Sequence, residues 1–371
     1  MKPVNDALLP SIVEMFQFEG QLVGLLPYGN GHINDTYSVV FQVEERVNRY
    51  ILQRINTDVF TKPVDLMENV VGVTRYLYHA IETAGGNPKR ETLNLIPTVD
   101  GAYYFVDEDG GYWRAYLFIE NTVTLQKTRN AEDFYESARS FGRFQLLLAD
   151  YPAETLHETI PLFHNTPNRI LQFQDALASD VKGRAAGIQK EIDFVLKHEE
   201  FTHVLVDLQA QGKLPLRVTH NDTKLNNVLI DADTGLGICV IDLDTVMPGL
   251  SLNDFGDSIR FGASTAAEDE TDLSKVHFDP SLFEAYTRGY LEVAGNVLTD
   301  AEIDNLPVGA KMLTLECGIR FLADYLAGDV YFKTERPAHN LDRARTQFKL
   351  VEEMEDKWDT MYEIVKKYRN R

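Results

Sequence analysis

The amino-acid sequence predicts an α+β protein with two lobes, a small antiparallel sheet lobe followed by a larger, mainly helical lobe. In residues 1–120, short runs rich in β-branched and aromatic residues alternate with turn residues, and one long stretch, 65–83, has helical periodicity. From Ala131 onwards the spacing of apolar residues is mostly helical. We therefore place a sheet domain in residues 1–120 and a helical domain in residues 121–371.

The individual elements follow from the same local patterns. Strands are predicted at residues 22–26, 37–41, 50–55, 92–97, 102–106 and 113–119. Helices are predicted at residues 8–18, 65–83, 133–149, 172–186, 189–211, 279–292, 300–326 and 346–371. In the helix at 300–326 a stripe of apolar residues is expected to enter the core, namely Leu313, Leu315, Ile319, Leu322 and Leu326.

Composition narrows the range of partners. The 371 residues carry 57 acidic and 36 basic side chains, a net charge of −21, which argues against nucleic acid and against an anionic membrane surface. No apolar run approaches the roughly 18 residues that a membrane span requires. Of the two cysteines, Cys239 lies in a predicted buried strand, so a disulfide is not expected. We expect a cytoplasmic protein, a monomer or weak homo-oligomer, acting on a small molecule.

The segment from Leu214 to Asp242 concentrates polar residues at strand ends. A mostly apolar run ends at His220-Asn221-Asp222, and Asn227 follows five residues after Asp222. Two short strands, 228–230 and 237–241, are separated by the turn 232–235, and the second runs into Asp242. A hairpin therefore places Asn227 and Asp242 at the same end of a rigid scaffold.

These residue types suit phosphoryl transfer. That reaction requires a carboxylate to orient and deprotonate a hydroxyl, and oxygen ligands to hold Mg²⁺ on the nucleotide phosphates. Asp222 is the candidate base, and Asn227 and Asp242 are the candidate metal ligands. Lys224 is placed to add positive charge near the transferred phosphoryl group. The alternative is that these residues only cap turns of a surface hairpin, but the agreement of several spaced residues argues against it.

The pattern H-x-D-x-x-x-x-N followed by a strand-end Asp resembles the catalytic segment of the protein-kinase-like superfamily. The lack of Arg after His220 favours its small-molecule branch, the aminoglycoside and choline kinases. The stretches GNGHINDTY, HNDTKLNN, IDLDTVMPG and RFLADYLAGDVY resemble the N-acetylhexosamine 1-kinases, sugar kinases that act at the anomeric hydroxyl. The resemblance runs over nearly the whole chain. It implies a two-lobe protein-kinase-like fold, with ATP and Mg²⁺ as cofactors and a hexosamine as acceptor.

The resemblance also implies a set of sugar-contacting residues. They are His32, Asp222, Asp242, Arg320 and Tyr331. His32, Arg320 and Tyr331 are hydrogen-bonding groups suited to sugar hydroxyls. The plainer interpretation of Arg320 is an ion pair with Asp324, four residues further along the same helix.

The nucleotide contacts are predicted from the order of elements in the sheet lobe. Gly29, Asn30 and Gly31 lie in a turn between two strands, where backbone N–H groups can cover phosphates. The residues after the last strand, Phe118, Ile119 and Glu120, are the expected hinge, whose backbone would hold adenine. In the third strand, where a protein kinase has a phosphate-pairing Lys, the sequence has Gln53-Arg54, so that contact stays unassigned.

The triplet Asp254-Phe255-Gly256 spells a protein-kinase metal motif at another position. It lies twenty-seven residues past Asn227 and beyond a Pro-Gly turn. We interpret Asp254 as the N-cap of a helix that is ordered against the catalytic loop, and Asp242 as the metal ligand.

Other functions fit the same pattern. A kinase of this fold acting on an aminoglycoside, choline, homoserine or methylthioribose is the nearest alternative, and the acidic composition is compatible with a cationic acceptor. A choline site requires aromatic faces around the cation, and we expect no aromatic cluster beside the catalytic loop. A catalytically inactive pseudokinase is a different class, and the intact Asp222, Asn227 and Asp242 argue against it.

Overall fold

A computed structural model describes residue 4, residues 6–29 and residues 33–369 of the chain. The helices are α1 (Leu9–Val13), α2 (Pro63–Thr83), α3 (Pro88–Glu91), α4 (Ala131–Leu147), α5 (Thr166–Ser179), α6 (Gln189–Lys197), α7 (Val204–Ala210), α8 (Ser251–Gly262), α9 (Pro280–Ala294), α10 (Asp300–Asp304), α11 (Leu306–Ala327), α12 (His339–Asp356) and α13 (Trp358–Tyr368). The strands are β1 (Gln21–Pro27), β2 (Asp35–Val43), β3 (Arg46–Ile55), β4 (Phe105–Val106), β5 (Tyr112–Leu117), β6 (Thr122–Val123), β7 (Arg217–Thr219), β8 (Val228–Asp231), β9 (Gly237–Val240) and β10 (Met247–Gly249). The predicted α+β class is therefore confirmed.

The chain divides into two compact units. The first unit comprises Met1–Val123, Asp150–Ile160 and Leu229–Met247. The second unit comprises Thr124–Ala149, Pro161–Val228 and Pro248–Arg371. The predicted boundary at residue 120 had assigned all of residues 229–247 to the helical domain.

Residues 229–247 group with the sheet because several bonds tie them to it. Strand β8 pairs antiparallel with β6. Arg90 lies 2.8 Å from the Asp231 carboxylate, and the Asn69 side chain on α2 donates to the Val246 carbonyl at 2.9 Å. None of these partners is near in sequence, so the grouping was not evident from local patterns.

An antiparallel sheet with the order β1-β2-β3-β5-β4 forms the first unit's framework. Burial alternates along β2 and β3, as expected for strands with one face in a core. The fully buried face carries Val39, Leu52, Trp113 and Ala115, which pack with residues of α1.

Two predictions in the first unit were wrong. Residues 92–97 form no strand of the sheet: Leu95 makes one isolated bridge to Tyr116, and Pro97 has no N–H to extend a ladder. The helix predicted at 8–18 ends at Val13, because Phe16 leaves the helix for a bridge with Thr98.

The second unit is built around α11, which packs against α5, α8 and α12. The predicted core stripe is confirmed, since its five residues are all at most 3% exposed.

Three long predicted helices are each two helices in the structure. A capping box of Thr299 and Glu302 starts α10, and Pro307 sits at the start of α11. A 3₁₀ turn at Glu200–His203 separates α6 from α7, and α12 ends before α13 begins at Trp358. Over the described residues, every helix is too short or too polar to span a membrane.

Candidate active site

The predicted hairpin is present as β8 and β9, which are neighbours in a three-stranded sheet with β6. Asn227 directly precedes β8, and Asp242 follows the end of β9 by two residues. Asp242 has the left-handed backbone conformation, with φ 62° and ψ 56°. A side chain other than Gly pays an energetic cost of about 1–2 kcal/mol there, and such conformations concentrate at functional sites.

Two predicted catalytic residues, Asp222 and Lys224, and the predicted metal ligand Asn227 lie together in the second unit. The Lys224 ammonium is 2.7 Å from Asp222 Oδ1. The Asn227 amide donates to the Asp222 main-chain carbonyl at 2.7 Å and to Oδ2 at 3.2 Å. Burial alone would raise the pKa of Asp222, but the charge of Lys224 outweighs it and holds that pKa below its ordinary value. Asp222 is therefore a carboxylate that is ionised and fixed on both of its oxygens.

The backbone just before Asp222 is tightly turned. Asn221 has a left-handed conformation, with φ 63°. His220 is completely buried, its ring meets Phe141 and Phe144 edge-on, and its Nδ1 accepts from the Asp222 N–H at 3.3 Å. His220 therefore acts as an internal anchor of this loop, which presents Asp222.

The interpretation of Asp254 as an N-cap was wrong. Helix α8 begins at Ser251, so Asp254 lies within its first turn. Its buried carboxylate accepts the N–H groups of His220 at 2.9 Å and Asn221 at 2.8 Å, and the Gln145 amide at 3.1 Å. Burial raises its pKa. The expected ordering of the catalytic loop by this helix is therefore observed, and both Asp254 oxygens are committed to it.

Sequence reasoning missed a second set of hydrogen bonds by which α8 holds the catalytic loop. Asp257 accepts the Thr223 N–H at 3.0 Å, and Ser258 donates to the Thr223 carbonyl at 2.9 Å. The Arg260 guanidinium in turn donates to Asp257 at 2.9 Å. The available signal was spacing, since positions three and four after Asp254 lie on the same helix face.

The two predicted metal ligands belong to different units, Asn227 to the second and Asp242 to the first. Among the described residues, no group of three or more His, Cys, Asp or Glu side chains is arranged to hold a metal. Mg²⁺ is usually bound by one or two protein oxygens together with substrate phosphates, and rarely by a complete protein cage. Asn227 carries an amide oxygen and Asp242 a carboxylate, the ligand types that this preference requires, and their role as metal ligands stays a prediction.

Arg320 on α11 lies over aromatic rings. Its guanidinium carbon is 5.2 Å from the ring centre of Phe163, 5.9 Å from Tyr331 and 5.5 Å from Phe332. Within the described part of the chain, Arg320 forms no ion pair. The alternative pairing with Asp324 is not formed, because Asp324 instead accepts backbone N–H groups of residues 330–332. Tyr331, the other predicted sugar contact in this unit, is 63% exposed.

A chain of polar contacts connects α11 with the catalytic loop. Glu316, one turn before Arg320, is 1% exposed and lies 2.8 Å from His164 Nδ1. The other ring nitrogen of His164 is 3.3 Å from the Asn221 carbonyl. The second Glu316 oxygen accepts the Thr166 hydroxyl at 2.7 Å. Burial would raise the pKa of Glu316, but His164 and then Arg320 bring it below its ordinary value.

The predicted phosphate turn is only partly within the described residues. Gly29 has φ 79°, a conformation that favours glycine, and its Cβ position is open. Asn30, Gly31 and the predicted sugar contact His32 lie outside the described residues.

The expected hinge is held by side chains of the first unit. Arg49 stacks over the Phe118 ring at 4.0 Å and donates to the Glu120 carboxylate at 2.7 Å. Arg90 donates to the Glu120 carbonyl at 2.9 Å, and the Thr122 hydroxyl donates to the Ile119 carbonyl at 3.0 Å. The assignment of adenine to Phe118, Ile119 and Glu120 stays a prediction.

Solved structures of other proteins share the fold of this chain. An aminoglycoside phosphotransferase from Alicyclobacillus acidocaldarius superimposes with a TM-score of 0.66 at 13% identity, covering 99% of this chain and 98% of that one. The Plasmodium vivax ethanolamine kinase gives 0.54 at 15%, covering 91% and 84%. A choline kinase from Cryptosporidium parvum gives 0.52 at 16%, covering 94% and 93%. At these identities the similarity shows the fold, and it confirms the predicted protein-kinase-like class.

A family model provides the stronger link. The model of the phosphotransferase enzyme family, APH, matches residues 24–296. This range includes Asp222, Lys224, Asn227 and Asp242 and is well over half of the 371 residues. The chain therefore belongs to the phosphotransferase enzyme family.

Proposed function

We propose that this phosphotransferase is an ATP-dependent kinase that phosphorylates the anomeric hydroxyl of N-acetylhexosamines, N-acetylglucosamine or N-acetylgalactosamine, to give the sugar 1-phosphate. The observation that carries this proposal is the position of Arg320. Its guanidinium has no ion pair within the described residues, and Glu316 on the same helix is connected through His164 to the residue before Asp222. An arginine without an ion pair among the described residues thus lies on the helix whose Glu316 is linked through His164 to the loop that presents Asp222.

Each residue has a definite task in the proposed reaction. Asp222 accepts the proton of the anomeric hydroxyl as its oxygen attacks the γ-phosphorus, and the bond from phosphorus to the ADP oxygen breaks. Lys224 stabilises the developing negative charge. Arg320 and Tyr331, with His32, donate to sugar oxygens. Asn227 and Asp242 are the residues that would hold Mg²⁺, which neutralises phosphate charge when it is bound.

The charges near Arg320 disfavour a cationic acceptor. Burial and then the charge of Arg320 lower the pKa of Arg169, which places two arginines close together. The nearby acids are already engaged: Glu316 binds His164 and Thr166, and Asp324 binds backbone N–H groups. An aminoglycoside would need carboxylates that are available, so this arrangement favours a neutral acceptor rich in oxygen.

The choline alternative depends on aromatic faces. Our expectation that no aromatic cluster lies beside the catalytic loop was wrong, since the rings of Phe141 and Phe144 pack edge-on against His220. A further ring, Phe163, belongs to the residue before His164, which contacts Asn221. This ring and those of Tyr331 and Phe332 already face a cation, the Arg320 guanidinium. A quaternary ammonium group would have to displace it, which is why we do not favour choline or ethanolamine.

An acceptor panel tests the proposal. ADP release is measured with N-acetylglucosamine, N-acetylgalactosamine, glucosamine, an aminoglycoside and choline, and we expect turnover with the N-acetylated sugars. Arg320→Gln should raise KM for the sugar by about tenfold or more and leave KM for ATP unchanged. The reason is that a hydrogen bond from a charged donor contributes about 1.5–3 kcal/mol.

Arg288→Gln is the matched control. Arg288 also stacks on an aromatic ring, Tyr135 at 4.1 Å, but it lies on α9. We expect its KM values to equal those of the wild type. Turnover confined to the cationic acceptors, or a sugar KM unaffected by Arg320→Gln, would contradict the proposed acceptor site.

A further inference from the structure

The strand of the sheet that carries the phosphate-pairing Lys in protein kinases has no Lys here. That Lys pairs with a Glu on the helix that packs on the sheet. In this chain β3 has Gln53 and Arg54. Arg54 turns to the opposite face and donates to Asp35 at 2.9 Å, while Glu68 on α2 lies 2.6 Å from His157. Neither member of the usual pair is in its place.

A buried arginine on the neighbouring strand takes the vacant position. Arg114 on β5 stands directly opposite Gln53 in the antiparallel register, so both side chains share a face. It is 1% exposed, and it donates to Gln53 Oε1 from Nε at 3.2 Å and from Nη2 at 3.0 Å. Its Nη1 is 4.0 Å from the sulfur of Met67 on α2. The guanidinium therefore lies between strand β3 and helix α2.

The acidic partner of Arg114 comes from the segment that carries the candidate metal ligand. Arg114 Nη2 is 2.5 Å from Asp244 Oδ1, and Asp244 is 3% exposed. Burial opposes the charge of Arg114, but Asp244 and, more weakly, Asp242 raise its pKa above the ordinary value. The ion pair thus holds the short helical turn Leu243–Thr245, which begins immediately after the left-handed Asp242.

Asp244 also connects this turn with Asn34, the residue directly before β2. Its Oδ2 accepts the Asn34 side-chain amide at 2.6 Å. The Asn34 oxygen accepts the Asn56 N–H at 2.9 Å, at the end of β3. One buried carboxylate therefore joins β5, the residues before β2 and the segment after β9.

We propose that Arg114 and Asp244 replace the strand lysine and helix glutamate of protein kinases, and that Arg114 is the positioning residue that fixes Asp242 and the start of β2 for Mg²⁺-ATP. This rests on the proposed use of ATP. In this proposal the cation that protein kinases carry on the third strand is replaced by Arg114 on β5. Asp244 then holds the turn after Asp242 and is not itself a metal ligand.

Calorimetric titration of Mg²⁺-ATP without any acceptor tests this inference. The double variant Arg114→Gln with Asp244→Asn removes both charges together, so neither is left buried alone. We expect it to bind Mg²⁺-ATP at least about tenfold more weakly, because the turn after Asp242 loses its buried ion pair with β5. The pair Arg54→Gln with Asp35→Asn is the control, the same chemical change on the opposite face of the sheet, and should bind as the wild type does.

Asn34→Ala is a second variant that leaves both charges in place and removes the Asn34 hydrogen bonds to Asp244 and Asn56. We expect it to fold and to bind Mg²⁺-ATP several-fold more weakly. Wild-type affinity in either folded variant would overturn the inference while leaving the proposed kinase intact. A wild-type protein that binds no Mg²⁺-ATP would overturn both.

Discussion

Asp222→Asn is expected to lower kcat by about 10²–10⁴-fold, the usual contribution of a general base. The change keeps the shape of the side chain and its contact with Asn227, but it removes the group that accepts the proton. The affinity for Mg²⁺-ATP should stay within about threefold of the wild type, since the base acts on the acceptor. Steady-state kinetics and calorimetry on the same protein separate the two effects.

The matched control is Asp279→Asn. Asp279 caps α9, and Asn is an equally good capping residue, so both stability and rate should be unchanged. The pKa of Asp222 lies below its ordinary value, so its carboxylate stays ionised as the pH falls to about 4. Protonation of Asp222 should therefore not lower the rate at any pH above about 4. A rate above about a tenth of wild type in Asp222→Asn would remove Asp222 as the base.

Asp242→Asn is expected to lose affinity for Mg²⁺-ATP, whereas Asp254→Ala is expected to lose stability. Asn tolerates the left-handed backbone at 242, so the first variant should fold normally and lose affinity for Mg²⁺-ATP by more than about tenfold. Asp254→Ala leaves the buried N–H groups of His220 and Asn221 without acceptors. At about 1–3 kcal/mol for each of the two groups, its free energy of unfolding should fall by roughly 2–6 kcal/mol.

Denaturant unfolding and the Mg²⁺ dependence of ATP binding, measured on both variants, distinguish these outcomes. A stable Asp254→Ala protein with selectively lost Mg²⁺ dependence would reverse the assignment and make the Asp254-Phe255-Gly256 motif the metal site. Loss of stability in Asp242→Asn with normal Mg²⁺ dependence would point in the same direction.

Features encoded over short stretches were predictable from the sequence. The hairpin after Asn227 follows from two β-branched runs around an Asp-Thr-Gly turn, and the buried stripe of α11 follows from helical spacing. The prediction of a strand at 92–97 was wrong because pairing in a sheet depends on residues far away in the sequence. In addition, Pro97 has no N–H to donate to a neighbouring strand. The breaks around Asn305 and Glu200 were missed because apolar spacing continues across them.

The site depends on pairs far apart in the chain. Glu316 and His164 are separated by 152 residues, and Asn34 and Asp244 by 210. No local pattern indicates such pairs, because the sequence does not show which of the 57 acidic residues contacts a given His or Asn. Arg114 illustrates the point: in the sequence it is a single arginine in a strand, and only the register with Gln53 reveals its place.

The identity of the product tests the central claim most directly. Phosphorus NMR is recorded on the product formed from N-acetylglucosamine and ATP, with the Asp222→Asn protein as the blank. We predict a phosphate signal coupled to the anomeric proton, as in a sugar 1-phosphate. Phosphate on the 6-hydroxyl, or a phosphorylated product only from an aminoglycoside or choline, would contradict the account.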